Sequence, residues 1–230
     1  PSLSSYEQAG GEALEGARVE EDIWVGNKAF KKFAKPIDAE IKRLARTKTP
    51  WDPTQDFTDG NHDDRIDRVP KDCVKWKGLI GSHLLDTQNF KRHPFLKVLW
   101  RDEIAYSHFF QNQQSNKPIG GQCSNRLTKI GSSFVQGHEQ ILDIAFKILG
   151  NGKTITGAIA GACYVHIEKY RSHQAQKHFR GILGLNEVQN GGYLPMPVSL
   201  DFLCREYERM SLFDFHRKKY PRQSWEHLKV

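Results

Sequence analysis

The sequence predicts a mainly α fold: one globular helical domain behind a flexible acidic arm. Three observations predict it. Apolar residues recur at helical spacing in several separate stretches, alternating strand-like runs are few, and no internal repeat is visible. The expected organisation is an arm over 1–22 and a helical domain over 23–230. Within that domain an acidic loop over 49–72 precedes a main body over 73–230.

Taken in order, residues 1–22 are rich in Gly, Ser and Glu and poor in large apolar side chains. Such a segment cannot bury enough surface to offset its ordering entropy. From Ile23 to about Thr47, Phe30, Phe33, Ile37, Ile41 and Leu44 recur on one helical face, opposite a row of lysines. Pro36 removes a helix hydrogen bond and is expected to kink or divide this stretch. "TKTPWDPTQDFTDGNHDDRIDRVPKD" is dense in Pro, Asp and Gly and reads as a long loop with a turn or two.

Residues Cys73–Phe90 are ambiguous, but Pro94 can open a helix through "FLKVLWRDEIAYSHFF". After a polar loop, "SSFVQGHEQILDIAFKIL" over 132–149 reads as an amphipathic helix stopped by Gly150-Asn151-Gly152. A further helix is expected from Thr154 to about Leu183, where Gly157 and Gly161 would admit a close helix crossing. Ser199 is a credible N-cap for a final helix over 199–219.

Charge is distributed in blocks. The chain is +7 overall, but residues 1–22 carry −5, 23–48 carry +6, 49–72 carry −4 and the remainder +10. This polarity points to a basic working surface for an anionic partner. Cys73, Cys123, Cys163 and Cys204 lie far apart with no Cys-x-x-Cys pair, which argues against a structural zinc site and favours reduced, mostly buried thiols. With no apolar run long enough for a bilayer and no signal peptide in "PSLSSYEQAGGEALEG", the expected setting is intracellular, cytoplasmic or nuclear.

Three basic clusters carry the functional expectation. Lys28, Lys31, Lys32, Lys35, Lys42 and Arg46 form a helical stripe of about 25 Å at 1.5 Å per residue. "EKYRSHQAQKHFR" sets Lys169, Arg171, Lys177 and Arg180 among aromatic and histidine side chains. "FDFHRKKYPRQSW" joins Arg217, Lys218, Lys219 and Arg222 to Tyr220 and Trp225. Cations hold a phosphate backbone while aromatic faces stack on unpaired bases. Each cluster also has a plainer reading as a solvated face or a basic helix end.

The leading expectation is a non-enzymatic protein that binds nucleic acid, single-stranded RNA above all, without a cofactor. An acidic arm on a basic body adds the expectation of a homo-oligomer, as in a nucleocapsid or coat assembly.

Two alternatives rest on other readings. "DFTDGNHDDRID" puts five aspartates and a histidine into residues 56–67, and His62, Asp63, Asp64 and Asp67 have the donor chemistry of a metal-dependent nuclease. Its spacing fails the calcium-loop pattern, and an exposed loop that caps a helix near Arg65 is the plainer reading. The other alternative is a helical matrix, adaptor or effector protein that meets acidic protein or anionic lipid. "GNGKT" over 150–154 lacks the first glycine of a phosphate-binding loop, since Lys147 stands there, though Lys153 can meet a phosphate at a helix N-terminus. His138-Glu139 begins a zinc-protease motif that Leu142 breaks.

Overall fold

The computed structural model describes residues 18–166 and 178–229. The chain divides between Lys97 and Val98 into two compact units. Its five α-helices and nine strands among the described residues make a mixed α/β protein, which overturns the mainly α expectation.

In the first unit α1, Val19–Leu44, is a single helix that runs through Pro36 instead of dividing there. It begins inside the segment read as an arm, with Glu20, Glu21 and Asp22 placed where the helix dipole favours negative charge. Residues 1–17 of that arm lie outside the described residues. The inward face is a stripe of half-buried Ile23, Asn27, Phe30, Ile37, Ile41 and Leu44 around buried Ala34. Phe30 meets Phe57 and Phe90 edge-on, with ring centroids 5.4 and 5.2 Å away. Asn27 donates to the Leu84 carbonyl and accepts from the Asp86 N–H, which fixes α1 against the chain that follows α2.

The segment read as an acidic loop carries regular structure. Strand β1, Asp56–Thr58, pairs in parallel with β2, Lys91–His93, and α2, Asn61–Asp72, starts three residues after β1.

The second unit is built on a five-stranded sheet in the order β3-β4-β5-β7-β6. Its strands are β3, Leu99–Arg101; β4, Ile104–Ser107; β5, Phe134–Gln136; β6, Leu142–Ile148; and β7, Thr154–Ala160. Strands β4, β5 and β7 are parallel, while β3 and β6 add antiparallel edges. Helix α3, Cys123–Ile130, covers one face through a core of Ala105, Phe110, Cys123, Leu127, Phe134, Ile155 and Ile159. A hairpin of β8, Gly181–Gln189, and β9, Gly192–Ser199, covers the other through Tyr193, Leu183 and Leu185.

The helices expected over 94–110, 132–149 and 154–183 are not found among the described residues of those ranges, which instead carry β3 and β4, β5 and β6, and β7 with the start of β8; residues 167–177 lie outside the described residues. In 142–148 the apolar residues Leu142, Ile144, Phe146 and Ile148 alternate with Asp143, Ala145 and Lys147, a period of two. β7 is covered on both faces, so it reads as a continuous apolar run that periodicity cannot tell from a buried helix. Gly150-Asn151-Gly152 turns a hairpin between β6 and β7 instead of ending a helix, with Gly152 at φ +81. Close approach at Gly157 is real, but a strand makes it: a Cβ there would lie 2.6 Å from the Phe134 ring. The expected final helix is two, α4, Leu200–Glu208, and α5, Leu212–Lys219. Ser199 does cap the first, accepting from the Phe202 N–H at 3.0 Å.

Candidate functional site

Because the apolar stripe of α1 is turned inward, its basic residues are left outside. Lys28, Lys31, Lys32, Lys35, Lys42 and Arg46 are all exposed, and none enters an ion pair among the described residues. At about 100° per residue, Trp24, Lys28, Lys31, Lys35 and Lys42 fall within roughly 60° of one another. Trp24 is 59% exposed, and the Lys28 Nζ sits 4.7 Å from its ring centroid. Glu20, Glu21 and Asp22 lie in the first turn, beside the Trp24 end of the row, and the two later acids of the helix have partners of their own. Glu40 is paired with Arg43 at 2.6 Å, and Asp38 accepts from the Asn89 amide at 3.0 Å. The face is thus a cationic row about 21 Å long from Lys28 to Lys42, with a stacking surface at its N-terminal end.

The second unit presents another basic patch, at the C-terminus of α5. Arg217, Lys218, Lys219, Tyr220 and Arg222 are exposed. Lys219 Nζ lies 5.1 Å from the Phe215 centroid and 5.7 Å from that of Tyr220. Arg217 is partly neutralised by Asp214 at 3.1 Å, and Arg217, Lys218 and Lys219 in the last turn complement the helix dipole. Of the cluster in 169–180, Lys169, Arg171 and Lys177 lie outside the described residues. Arg180 is half-buried, and burial lowers its pKa. Lys153 immediately precedes β7, not a helix, and its Nζ is paired with Glu103 at 2.8 Å. It lies in an open groove of about 650 Å³ lined also by Phe146, Glu187, Tyr193 and Leu194.

In the aspartate stretch the structure gives several carboxylates specific partners. Asp56 meets His93 Nε2 at 2.6 Å, and Asp59 receives both Nε and Nη2 of Arg92 at 2.6 and 2.9 Å. Asp63 accepts from the Gly60 N–H at 2.7 Å and so closes the start of α2, while burial raises its pKa. Asp67 accepts from the Ser82 N–H at 2.6 Å, and Asp64 pairs with Arg68 at 3.4 Å. His62 is exposed. A cavity of about 370 Å³ lies beside them, lined by Asp59, Asp64, Asp67, Lys71, Ser82 and Arg92. Among the described residues no three His, Cys, Asp or Glu side chains are grouped to hold a metal.

Other polar groupings had no signal in the sequence beyond the broken motif at His138-Glu139. His138 Nδ1 and His108 Nε2 are 3.0 Å apart, at the carboxyl ends of β5 and β4. Glu139 accepts two bonds from Arg126, at 2.7 and 2.8 Å, and Arg126 is itself buried. A buried chain stitches the β8–β9 hairpin to the sheet: Thr156 Oγ1 donates to the Tyr193 carbonyl, and Tyr193 Oη donates to the Phe134 carbonyl. Partners so distant in sequence become visible only when the sheet is assembled. The cysteines are unpaired, with Cys123 and Cys204 buried and Cys73 and Cys163 exposed. Burial pushes the Cys123 thiol up to about 11, so it stays protonated at neutral pH and is a poor nucleophile.

No family model matches the chain, and no solved structure matches it. Among curated proteins it is similar to the ATP-binding cassette transporter abc4 of Schizosaccharomyces pombe, 27% identical over 120 residues. That alignment covers 52% of this chain but only 8% of the transporter. None of these findings supports RNA binding or a nucleocapsid-like role, and the all-helical class expected beside them is not the one observed. No described helix is long and apolar enough to cross a membrane.

Proposed function

We propose that the protein is a non-enzymatic binder of single-stranded nucleic acid, held by backbone charge and base stacking on the outer face of α1. The observation that supports this reading is the exposed row of Lys28, Lys31, Lys35 and Lys42, aligned with exposed Trp24 and free of ion pairs among the described residues. A row of cations releases the counterions of a phosphate backbone, and an aromatic face accepts any base. Neither interaction distinguishes RNA from DNA, so the ligand is a single strand of either kind. The α5 patch, with Lys219 between Phe215 and Tyr220, offers the same chemistry on the second unit.

Charge reversal tests the proposal. Fluorescence anisotropy with labelled single-stranded RNA and DNA at low salt should show binding by the unaltered chain. Lys31→Glu with Lys35→Glu should weaken it by about tenfold or more, with the circular dichroism unchanged. Unaltered affinity in that variant, or no binding by the unaltered chain, would refute the assignment.

A further inference from the structure

Nine consecutive exposed residues, Lys71 to Leu79, leave the end of α2 and return to the fold at buried Gly81. The stretch "KDCVKWKGL" carries three large apolar side chains outward: Val74 is 77% exposed, Leu79 65% and Trp76 46%. Lys71, Lys75 and Lys77 are interleaved with them, and no acid follows Asp72 until Asp86.

The backbone of this tip is closed upon itself. Trp76 N–H bonds the Cys73 carbonyl, Lys77 N–H that of Val74, and both Leu79 and Ile80 N–H that of Trp76, all at 3.0–3.1 Å. Gly78 turns the chain at φ +83, where a Cβ would meet nothing within 4 Å but would be strained by the left-handed backbone. The Asp67 carboxylate holds the Ser82 N–H at the return. The side chains are therefore presented outward on a backbone that makes several of its own hydrogen bonds, which lowers the cost of meeting an apolar medium.

We infer that this tip is a membrane-docking loop, with Val74, Trp76 and Leu79 entering the interfacial region of a bilayer and Lys71, Lys75 and Lys77 meeting anionic headgroups. Charge complementarity selects the occupant. A tip of apolar residues ringed by lysines matches the boundary between acyl chains and anionic phosphates, where Trp is favoured and Lys extends its stem to reach the headgroups. This surface is separate from the cationic row of α1 and does not rest on the nucleic-acid reading.

Vesicle co-sedimentation tests the inference, using phosphatidylcholine vesicles with and without phosphatidylserine. The full chain should sediment with the anionic vesicles and much less with the neutral ones. Trp76→Ser with Leu79→Ser should abolish sedimentation, and Lys75→Glu with Lys77→Glu should reduce it severalfold. Lys31→Glu with Lys35→Glu should still sediment, which separates this surface from that of α1. The inference is overturned if the full chain stays in the supernatant with both vesicles, or if the serine pair, folded by circular dichroism, sediments as well as the unaltered chain. It is also overturned if the serine pair changes only the oligomeric state, because the tip then meets protein.

Discussion

His216 sits in an aromatic nest near the end of α5, with ring centroids of Trp225 at 4.6 Å, Phe215 at 5.4 Å and Tyr220 at 5.8 Å. Burial lowers its pKa, and Lys219 and His227 push the same way. The imidazole therefore prefers to be neutral in the folded protein. Unfolded chains take up the proton first as pH falls, so the unfolded state binds more protons in that window. Stability from this site should be fully present above about pH 6.5 and decline as pH falls from there toward the lowered folded-state pKa. Thermal unfolding measured from neutral to acidic pH should show that decline, and His216→Gln should flatten it. An equally steep acid limb in the variant would place the proton uptake elsewhere. Sequence reading found the basic and aromatic residues around His216 and offered them as a ligand surface, with a basic helix end as the plainer reading. In the structure they divide: Phe213, Phe215 and Trp225 pack against the cluster of Cys204, Leu212 and Leu228, while Arg217, Lys218 and Lys219 stay outside.

At the scale of elements, legibility followed the strength of periodicity against the turn signals. α1 was readable because its apolar and basic faces alternate over 26 residues, and exposed Lys28 to Lys42 emerged with it. The sheet was missed because short apolar runs suit either structure, yet Asn151-Gly152 and Asn190-Gly191 are both two-residue hairpin signals. Asn190 and Gly191 take φ of +50 and +71 and join β8 to β9. The turn between β3 and β4 hides better, since Asp102 and Glu103 adopt positive φ without a glycine. Pro36 misled in the opposite direction. Tertiary packing of Phe30, Ala34 and Ile37 carries α1 past a residue that removes a backbone bond to Lys32. Pro36 is exposed, so Pro36→Ala removes no buried surface and restores that bond. Urea unfolding should show a gain of about 1–3 kcal/mol, and an unchanged or lower midpoint would mean that Pro36 is accommodated without cost.

Across the whole molecule, segregation of charge matters more than its excess. The first unit holds seventeen Lys and Arg against sixteen Asp and Glu, yet it presents the cationic row of α1. It does so by engaging acids locally, as Asp59 is engaged by Arg92, Glu40 by Arg43 and Asp67 by the Ser82 N–H. Block charges along the sequence signalled this polarity. They could not show that the aspartate stretch frames β1 and the start of α2, because Arg92 and His93 arrive from more than thirty residues away. The central claim is that the α1 row meets a phosphate backbone, and the salt dependence of affinity for a labelled single strand tests it most directly. The four lysines of the row on a single strand predict a slope of log affinity against log salt of about −3, and Lys31→Glu with Lys35→Glu should make it shallower by about 1.4 or more. Binding insensitive to salt, or a slope that the double reversal leaves unchanged, would contradict the account.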